Sequence, residues 1–273
     1  MKTFALALGS GGARGLAHIA VIEALDDMGI KPTAIAGASI GALIGAGYAA
    51  GMRGHDIRRH VLGIAHKPNE TRRRLLAARS GSFANLLSAF GQTTLLDPEK
   101  FCAQFLPDSV PDDFAALQIP LIVMATDFHR RAEAPLSSGA LRPALAASIA
   151  IPGLFRPVTI DGRILIDGGT TNPLPFDILL GRADTVVAVD VFGIPAAERD
   201  DMPGTWETVY TTILVMGGAI LAAKLAHAAP DLLIRPNVTI FRTLDFPQAT
   251  AILRTADAVK AEVKEKLAAL LGS

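Results

Sequence analysis

The chain has 273 residues, half of them hydrophobic and 19% charged, with twenty-six Lys+Arg balanced by twenty-six Asp+Glu. Its length and apolar fraction suffice for a sizeable core. Zero net charge excludes a globally basic nucleic-acid binder and a highly charged disordered chain, and a lone Cys102, read as a small buried hydrophobe, excludes an internal disulfide framework.

Thr3–Leu8 is a short apolar run closed by glycines, the mark of a buried strand. It starts like a signal peptide, but it stops in a Gly-rich loop carrying Arg14, short of the usual apolar region. From Leu16 the period changes: Ile19, Ile22, Leu25 and Met28 share one face of a helix that Gly29 ends. Ala34–Ala36 reads as a second strand and Ile40–Ala50 as a buried helix. Strand, glycine loop, helix, strand is a βαβ unit, which predicts a parallel pair joined by a right-handed crossover.

Arg53–Arg79 carries eight Lys/Arg and three His against one Asp and one Glu, on two helices broken at Pro68. Such a segment forms solvated helix faces or a basic surface toward anionic headgroups. Ile119–Thr126 reads as a strand ending in Asp127. Val158–Ile160 and Ile164–Ile166 flank Asp161-Gly162, a two-residue hairpin turn signal. Thr185–Val191 and Leu232–Ile234 are further strands, and Thr205–Ala228 is a long, largely apolar helix. In the tail, Ile252, Ala256, Val259, Val263, Leu267 and Leu270 step by three and four along one amphipathic helix. Strands alternate with helices, with no repeat or long linker, so residues 1–273 are expected to form a single α/β domain around a mostly parallel, helix-covered sheet.

Within the long helix, Ile213–Ala223 is apolar throughout but well short of the ~18–20 residues that span a bilayer. Burial is expected for it, although Gly217-Gly218 would equally suit a homodimer face. A soluble, cytoplasmic protein is therefore expected. A mean hydropathy of +0.37, high for such a chain, leaves peripheral membrane contact open.

Gly37-Ala38-Ser39-Ile40-Gly41 matches G-x-S-x-G between a strand and a helix. A nucleophile at so sharp a turn needs small neighbours, because strand and helix approach closely. It also meets a helix N-terminus, whose free N–H groups favour developing negative charge. The plainer alternative is a helix N-cap serine. Gly9-Ser10-Gly11-Gly12-Ala13-Arg14-Gly15 misses the G-x-G-x-x-G spacing in either register and lacks the Gly-Lys-Ser/Thr ending of a P-loop. Joined to the serine motif, it reads best as an oxyanion hole, in which glycines aim backbone N–H groups at a tetrahedral intermediate.

A serine nucleophile needs a base. Of the six histidines, His18, His55, His60, His66, His129 and His227, only His227 lies late enough for the order Ser, Asp, His, and it sits in an apolar helical stretch. Asp167-Gly168-Gly169, at a strand end, permits a two-residue Ser–Asp arrangement with no histidine. Nothing has the His/Cys spacing of a metal site, so neither metal nor other cofactor is expected.

The glycine loop, G-A-S-I-G and D-G-G, in this order and at these separations, resemble the patatin-like phospholipase family. Ala147-Ser148, Ile151-Pro152-Gly153 and Phe155 resemble its A-S-x-x-x-P-G-x-F segment, and Asp231-Leu232-Leu233-Ile234-Arg235-Pro236 resembles its bacterial branch. Ser10 stands where plant-type members have a glycine, and His129-Arg130-Arg131 replaces the usual Thr-Gly. The resemblance implies a three-layer α/β/α fold and a serine acyl hydrolase of lipase, phospholipase A or lysophospholipase type. Ser39 would be the nucleophile and Asp167 the base, while Gly11, Gly12 and Ala13, with Arg14, hold the oxyanion. The implied partners are a lipid or acyl-ester substrate and, peripherally, the inner face of an anionic membrane. A free Asp is a feeble base, so burial must raise its pKa. The rival readings are a catalytically weak regulatory partner on the same fold and a nucleotide-binding α/β protein using the glycine loop.

Overall fold

The computed structural model describes residues 2–78, 96–193, 202 and 204–272. One eight-stranded sheet contains β1 (Phe4–Leu8), β2 (Ala34–Ala38), β3 (Leu121–Asp127), β4 (Ala132–Leu136), β5 (Val158–Ile160), β6 (Arg163–Asp167), β7 (Thr185–Val189) and β8 (Leu232–Ile234). Its order is β5-β6-β3-β2-β1-β7-β8, with β4 beside β3. The five strands β3, β2, β1, β7 and β8 are parallel, as the βαβ pattern predicts for β1 and β2. The β5–β6 hairpin and β4 are antiparallel additions at one end. Asp161 and Gly162 make the hairpin turn with φ of 50° and 72°, the left-handed pair that a two-residue loop requires.

The nine helices of the described residues are α1 (His18–Met28), α2 (Ile40–Ala49), α3 (Gly54–Ala65), α4 (Pro68–Ala77), α5 (Pro98–Phe105), α6 (Leu141–Ser148), α7 (Thr205–His227), α8 (Ala249–Ala256) and α9 (Val259–Gly272). Side-chain alternation along β1 divides them into two layers. Phe4, Leu6 and Leu8 join a large core with residues of α1, α2, α6, α8 and α9. Ala5 and Ala7 face the other way, toward Phe176, Leu179 and Leu221 of α7. One face is therefore thickly covered and the other thinly, in a three-layer α/β/α sandwich.

The thin layer overturns one expectation. Of Ile213–Ala223, only Gly217 and Leu221 are buried, while Val215 and Met216 are 66% and 61% exposed. An alanine-lined sheet face offers little to bury a helix in. What holds α7 is polar at its end: Lys224 Nζ donates to Glu133 Oε1 at 2.7 Å and to Asp177 Oδ2 at 2.6 Å. The helix also continues past its apolar centre, so that Thr208–His227, 20 residues, is long and apolar enough to cross a membrane by length and composition. This corrects the shorter span expected from the apolar run alone.

The tail differs too, being two helices rather than one. The break falls at Asp257, whose carboxylate receives Arg58 at 2.6 Å and Lys260 at 2.9 Å. The apolar phase survives it, since Ile252, Ala256, Val259, Val263 and Leu267 are all buried. Leu271, not Leu270, closes the series. The basic segment forms α3 and α4, parted before Pro68 as expected, while Arg79 lies outside the described residues. Its charge is partly spent internally: Arg58 binds Glu23 through two bonds of 2.7 and 2.6 Å.

Candidate active site

Two strands reach the same edge of β3 from opposite ends. β2 runs parallel to it and stops with Ala38 opposite Met124, while β6 runs antiparallel and stops with Asp167 opposite Ala125. β4 occupies the other edge. The two strand ends thus meet head to head, and Ser39, one residue past β2, arrives at Asp167. Ser39 Oγ donates to Asp167 Oδ2 at 2.7 Å, and both residues are buried.

The turn that delivers Ser39 is strained. Its φ of 53° and ψ of −122° lie where L-residues rarely go, at a cost of order 1–3 kcal/mol. Neighbours hold it there. Ser39 N–H donates to Ser148 Oγ at 2.9 Å, and that hydroxyl donates to Met124 O at 2.6 Å, bridging the point where β2 leaves the sheet. The motif glycines are required by contact: a Cβ on Gly41 would stand 2.2 Å from Leu8 O, and one on Gly37 2.6 Å from Ala42 N. Ser39 sits at the N-cap position of α2, but its side chain caps no helical N–H. The plain capping role therefore fails, because the hydroxyl is committed to Asp167.

Asp167 is fixed on every side. Its N–H donates to Ala150 O, and its carbonyl accepts from Thr126 Oγ1 and Thr170 Oγ1. Its Oδ1 accepts from Gly169 N at 2.7 Å, while Gly168 packs on the Met124 carbonyl. Burial pushes its pKa from 3.8 up to about 6, against the bonds from Ser39 and Gly169, which favour the carboxylate.

The glycine loop has few uncommitted donors. Gly9 N–H goes to Val189 O, Ser10 N–H to Pro173 O at 2.7 Å, and Ala13 N–H to Thr243 O at 2.7 Å. Gly11 and Gly12 N–H carry no protein partner among the described residues, and both line one cavity with Ser39 and Asp167. The Ala13 N–H, expected as a free donor, is thus already committed. Arg14 is buried, with Nε on Phe241 O at 2.7 Å and a terminal nitrogen on Phe192 O and Gly193 O. A buried guanidinium must satisfy its donors on whatever carbonyls surround it, and these three take up Nε and a terminal nitrogen.

None of the six histidines lines the cavity. His227 is exposed in the last turn of α7. His18 is fully buried beneath the glycine loop, with Nε2 2.8 Å from Gly9 O, and burial lowers its pKa to about 4. Among the described residues no group of three His, Cys, Asp or Glu is placed to hold a metal ion. The cavity has about 30 Å3 of open space and an apolar wall of Ile151, Phe192, Ile213 and Leu214. Tyr210 of α7 also lines it, bonded to Thr243, and burial together with the nearby Asp167 raises its phenol pKa. Sequence reasoning noted Ser148 only within the family-like segment and did not single out Tyr210 or Thr243, since their contacts arise through the packing of remote elements.

Residues 6–180 match the patatin-like phospholipase family. An uncharacterized NTE family protein of Mycobacterium tuberculosis (strain ATCC 25618 / H37Rv) is 39% identical over 199 residues, 72% of this chain and 51% of the relative. Lysophospholipase nte1 of Aspergillus fumigatus is 33% identical over 215 residues, 75% of this chain and 13% of that protein. The chain thus spans about half the length of the mycobacterial relative it matches. VipD from Legionella pneumophila has a similar fold, with a TM-score of 0.52 at 15% identity over 97% of this chain and 67% of that one.

Because the folded pKa of Asp167 is raised, its contribution to stability is fully present below pH 3.8 and lost as pH rises through about 6. The loss at high pH is on the order of 3 kcal/mol. Asp167→Asn should therefore melt higher than the parent at pH 8, with the advantage fading toward pH 4. Thermal melts at the two pH values check this, and an equal or lower melting temperature at pH 8 contradicts it.

Proposed function

The chain belongs to the patatin-like phospholipase family, and from that premise we propose that it is a lipid acyl hydrolase working through a Ser39–Asp167 dyad and an acyl-enzyme. The observation that carries this reading is the buried 2.7 Å bond from Ser39 Oγ to a carboxylate with raised pKa. Asp167 takes the Ser39 proton as Oγ attacks the ester carbonyl, then delivers it to the leaving alcohol. The N–H groups of Gly11 and Gly12 receive the oxyanion, each donor being worth about 10²–10³ in rate. Ser39 stands at the N-terminus of α2, whose dipole favours negative charge on Oγ. A base titrating at about 6 is half ionised there and available at neutrality, which a general base requires.

The lysophospholipase named among the relatives and the apolar cavity wall support a lipid acyl chain as the substrate part that enters. α7 exposes Val209, Val215 and Met216, and the segment around Thr243 exposes Ile240 and Leu244. These exposed apolar side chains support peripheral docking on a lipid surface. The weight moves from the basic helices, partly paired internally, to α7.

A fluorophosphonate probe should label the protein at Ser39 and fail to label Ser39→Ala. Ser39→Ala and Asp167→Asn should each remove nearly all hydrolysis of a short p-nitrophenyl ester while staying folded, and the double variant should be little worse than either. Retained activity in Asp167→Asn would sink the dyad.

The pH–rate profile should lose activity as pH falls through about 6, where the buried carboxylate takes up its proton. An acid limb near 3.8 would mean a solvated Asp167.

In co-sedimentation with anionic vesicles, Met216→Asp should weaken binding about tenfold, and binding by the parent should survive high salt. Binding abolished by salt, and indifferent to Met216→Asp, would return the contact to the basic helices.

A further inference from the structure

The cavity contains a second serine that the dyad does not use. Ser10 is 4% exposed, and its Oγ is buried with no hydrogen-bond partner. It lines the same space as Ser39 and Asp167. Its backbone is held in place by the 2.7 Å bond from its N–H to Pro173 O. Gly169 fixes how near the two groups come: a Cβ built there would lie 2.8 Å from Ser10 Oγ and 3.0 Å from Asp167 Oδ1. The hydroxyl and the carboxylate therefore both border Gly169, and a side chain there would crowd both groups. Leaving a buried hydroxyl unpaired costs about 1–3 kcal/mol, a cost that is offset if the group finds its partner during the reaction. The open space, about 30 Å3 of room for the centre of a water-sized sphere, exceeds the roughly 10–15 Å3 that one water molecule needs.

We propose that Ser10 Oγ positions the water that hydrolyses the acyl-enzyme, making Ser10 a catalytic residue for deacylation and not for acylation. The proposal rests on the Ser39–Asp167 reading above. Once Ser39 carries the acyl group, its Oγ has no proton to donate, and the Asp167 carboxylate is free to accept from water. One O–H of that water is directed to Asp167 and the other to Ser10 Oγ, which leaves a lone pair aimed at the acyl carbon. Asp167 takes the first proton as the new C–O bond forms. The bond from the acyl carbon to Ser39 Oγ then breaks, Oγ recovers the proton from Asp167, and the carboxylic acid departs. Two fixed partners orient the water where one would let it turn, and misplacing a reacting group by an ångström costs on the order of 10²-fold.

The test is Ser10→Ala with a p-nitrophenyl ester, whose activated leaving group makes deacylation rate-limiting. The expected result is a loss in kcat on the order of 10²-fold with kcat/KM unchanged, so that KM falls in proportion. A burst of one equivalent of p-nitrophenol and an acyl adduct on the Ser39 peptide by mass spectrometry should accompany it. Hydroxylamine, an acyl acceptor that does not depend on a positioned water, should restore turnover. The melting temperature should be unchanged or higher, since an unpaired hydroxyl is removed. Equal losses in kcat and kcat/KM would move Ser10 to the acylation step and overturn the assignment. So would unchanged kinetics with an adduct that turns over as fast as in the parent. Absence of any Ser39 adduct in either protein, with no fluorophosphonate labelling, would sink the dyad reading and this assignment with it.

Discussion

Two strands cannot occupy the same stretch of a third strand's edge, and much of the site follows from that exclusion. β2 and β6 share one edge of β3 and approach along it from opposite directions. Where they meet, one of them must leave the sheet. β2 does so through the strained turn at Ser39, because β6 already fills the next position with Asp167. A serine and a carboxylate separated by 128 residues of chain are thus brought together by hydrogen-bond register rather than by loops. Register is among the most rigid features of a sheet, since a one-residue slip would turn every side chain to the wrong face.

The electrostatics follow from the same location. A meeting of strand ends in mid-sheet is covered above and below, so Asp167 is removed from water and its proton is held to about pH 6. The bonds from Ser39 and Gly169 keep the charged form accessible, and without them burial would carry the pKa further up. In the proposed mechanism, catalysis and folding stability pull in opposite directions at this residue, as they do wherever a buried group must ionise to act.

What the sequence revealed, and what it hid, divides along the range of each interaction. The βαβ unit, the hairpin at Asp161-Gly162 and the two-helix basic segment were legible because short-range periodicity and turn chemistry decide them. The serine motif was legible because its glycines answer to contacts that any strand-to-helix elbow makes, here Gly41 against Leu8 O. Asp167 was legible as an acid at a strand end followed by two glycines. The bonds that tie down the Ala13 N–H and the Arg14 Nε were hidden because their partners, Thr243 and Phe241, lie more than two hundred residues away. The exposure of α7 was hidden because an apolar run does not say whether anything covers it. The break at Asp257 was hidden because the apolar phase runs through it unchanged.

Arg14 also bears on modularity. The stretch that matches the family ends at residue 180, yet the glycine loop inside it is anchored from outside it. Arg14 holds carbonyls of Phe192, Gly193 and Phe241, and Ala13 holds that of Thr243. Strand β7, also beyond residue 180, flanks β1 along its whole length, and the Lys2 N–H reaches Leu271 O at 3.4 Å. The matched segment is therefore not a transplantable cassette. Any rearrangement that fuses, swaps or splits this domain has to carry the last ninety or so residues with it, because the backbone groups that would meet the reacting oxygen are aimed by the end of the chain.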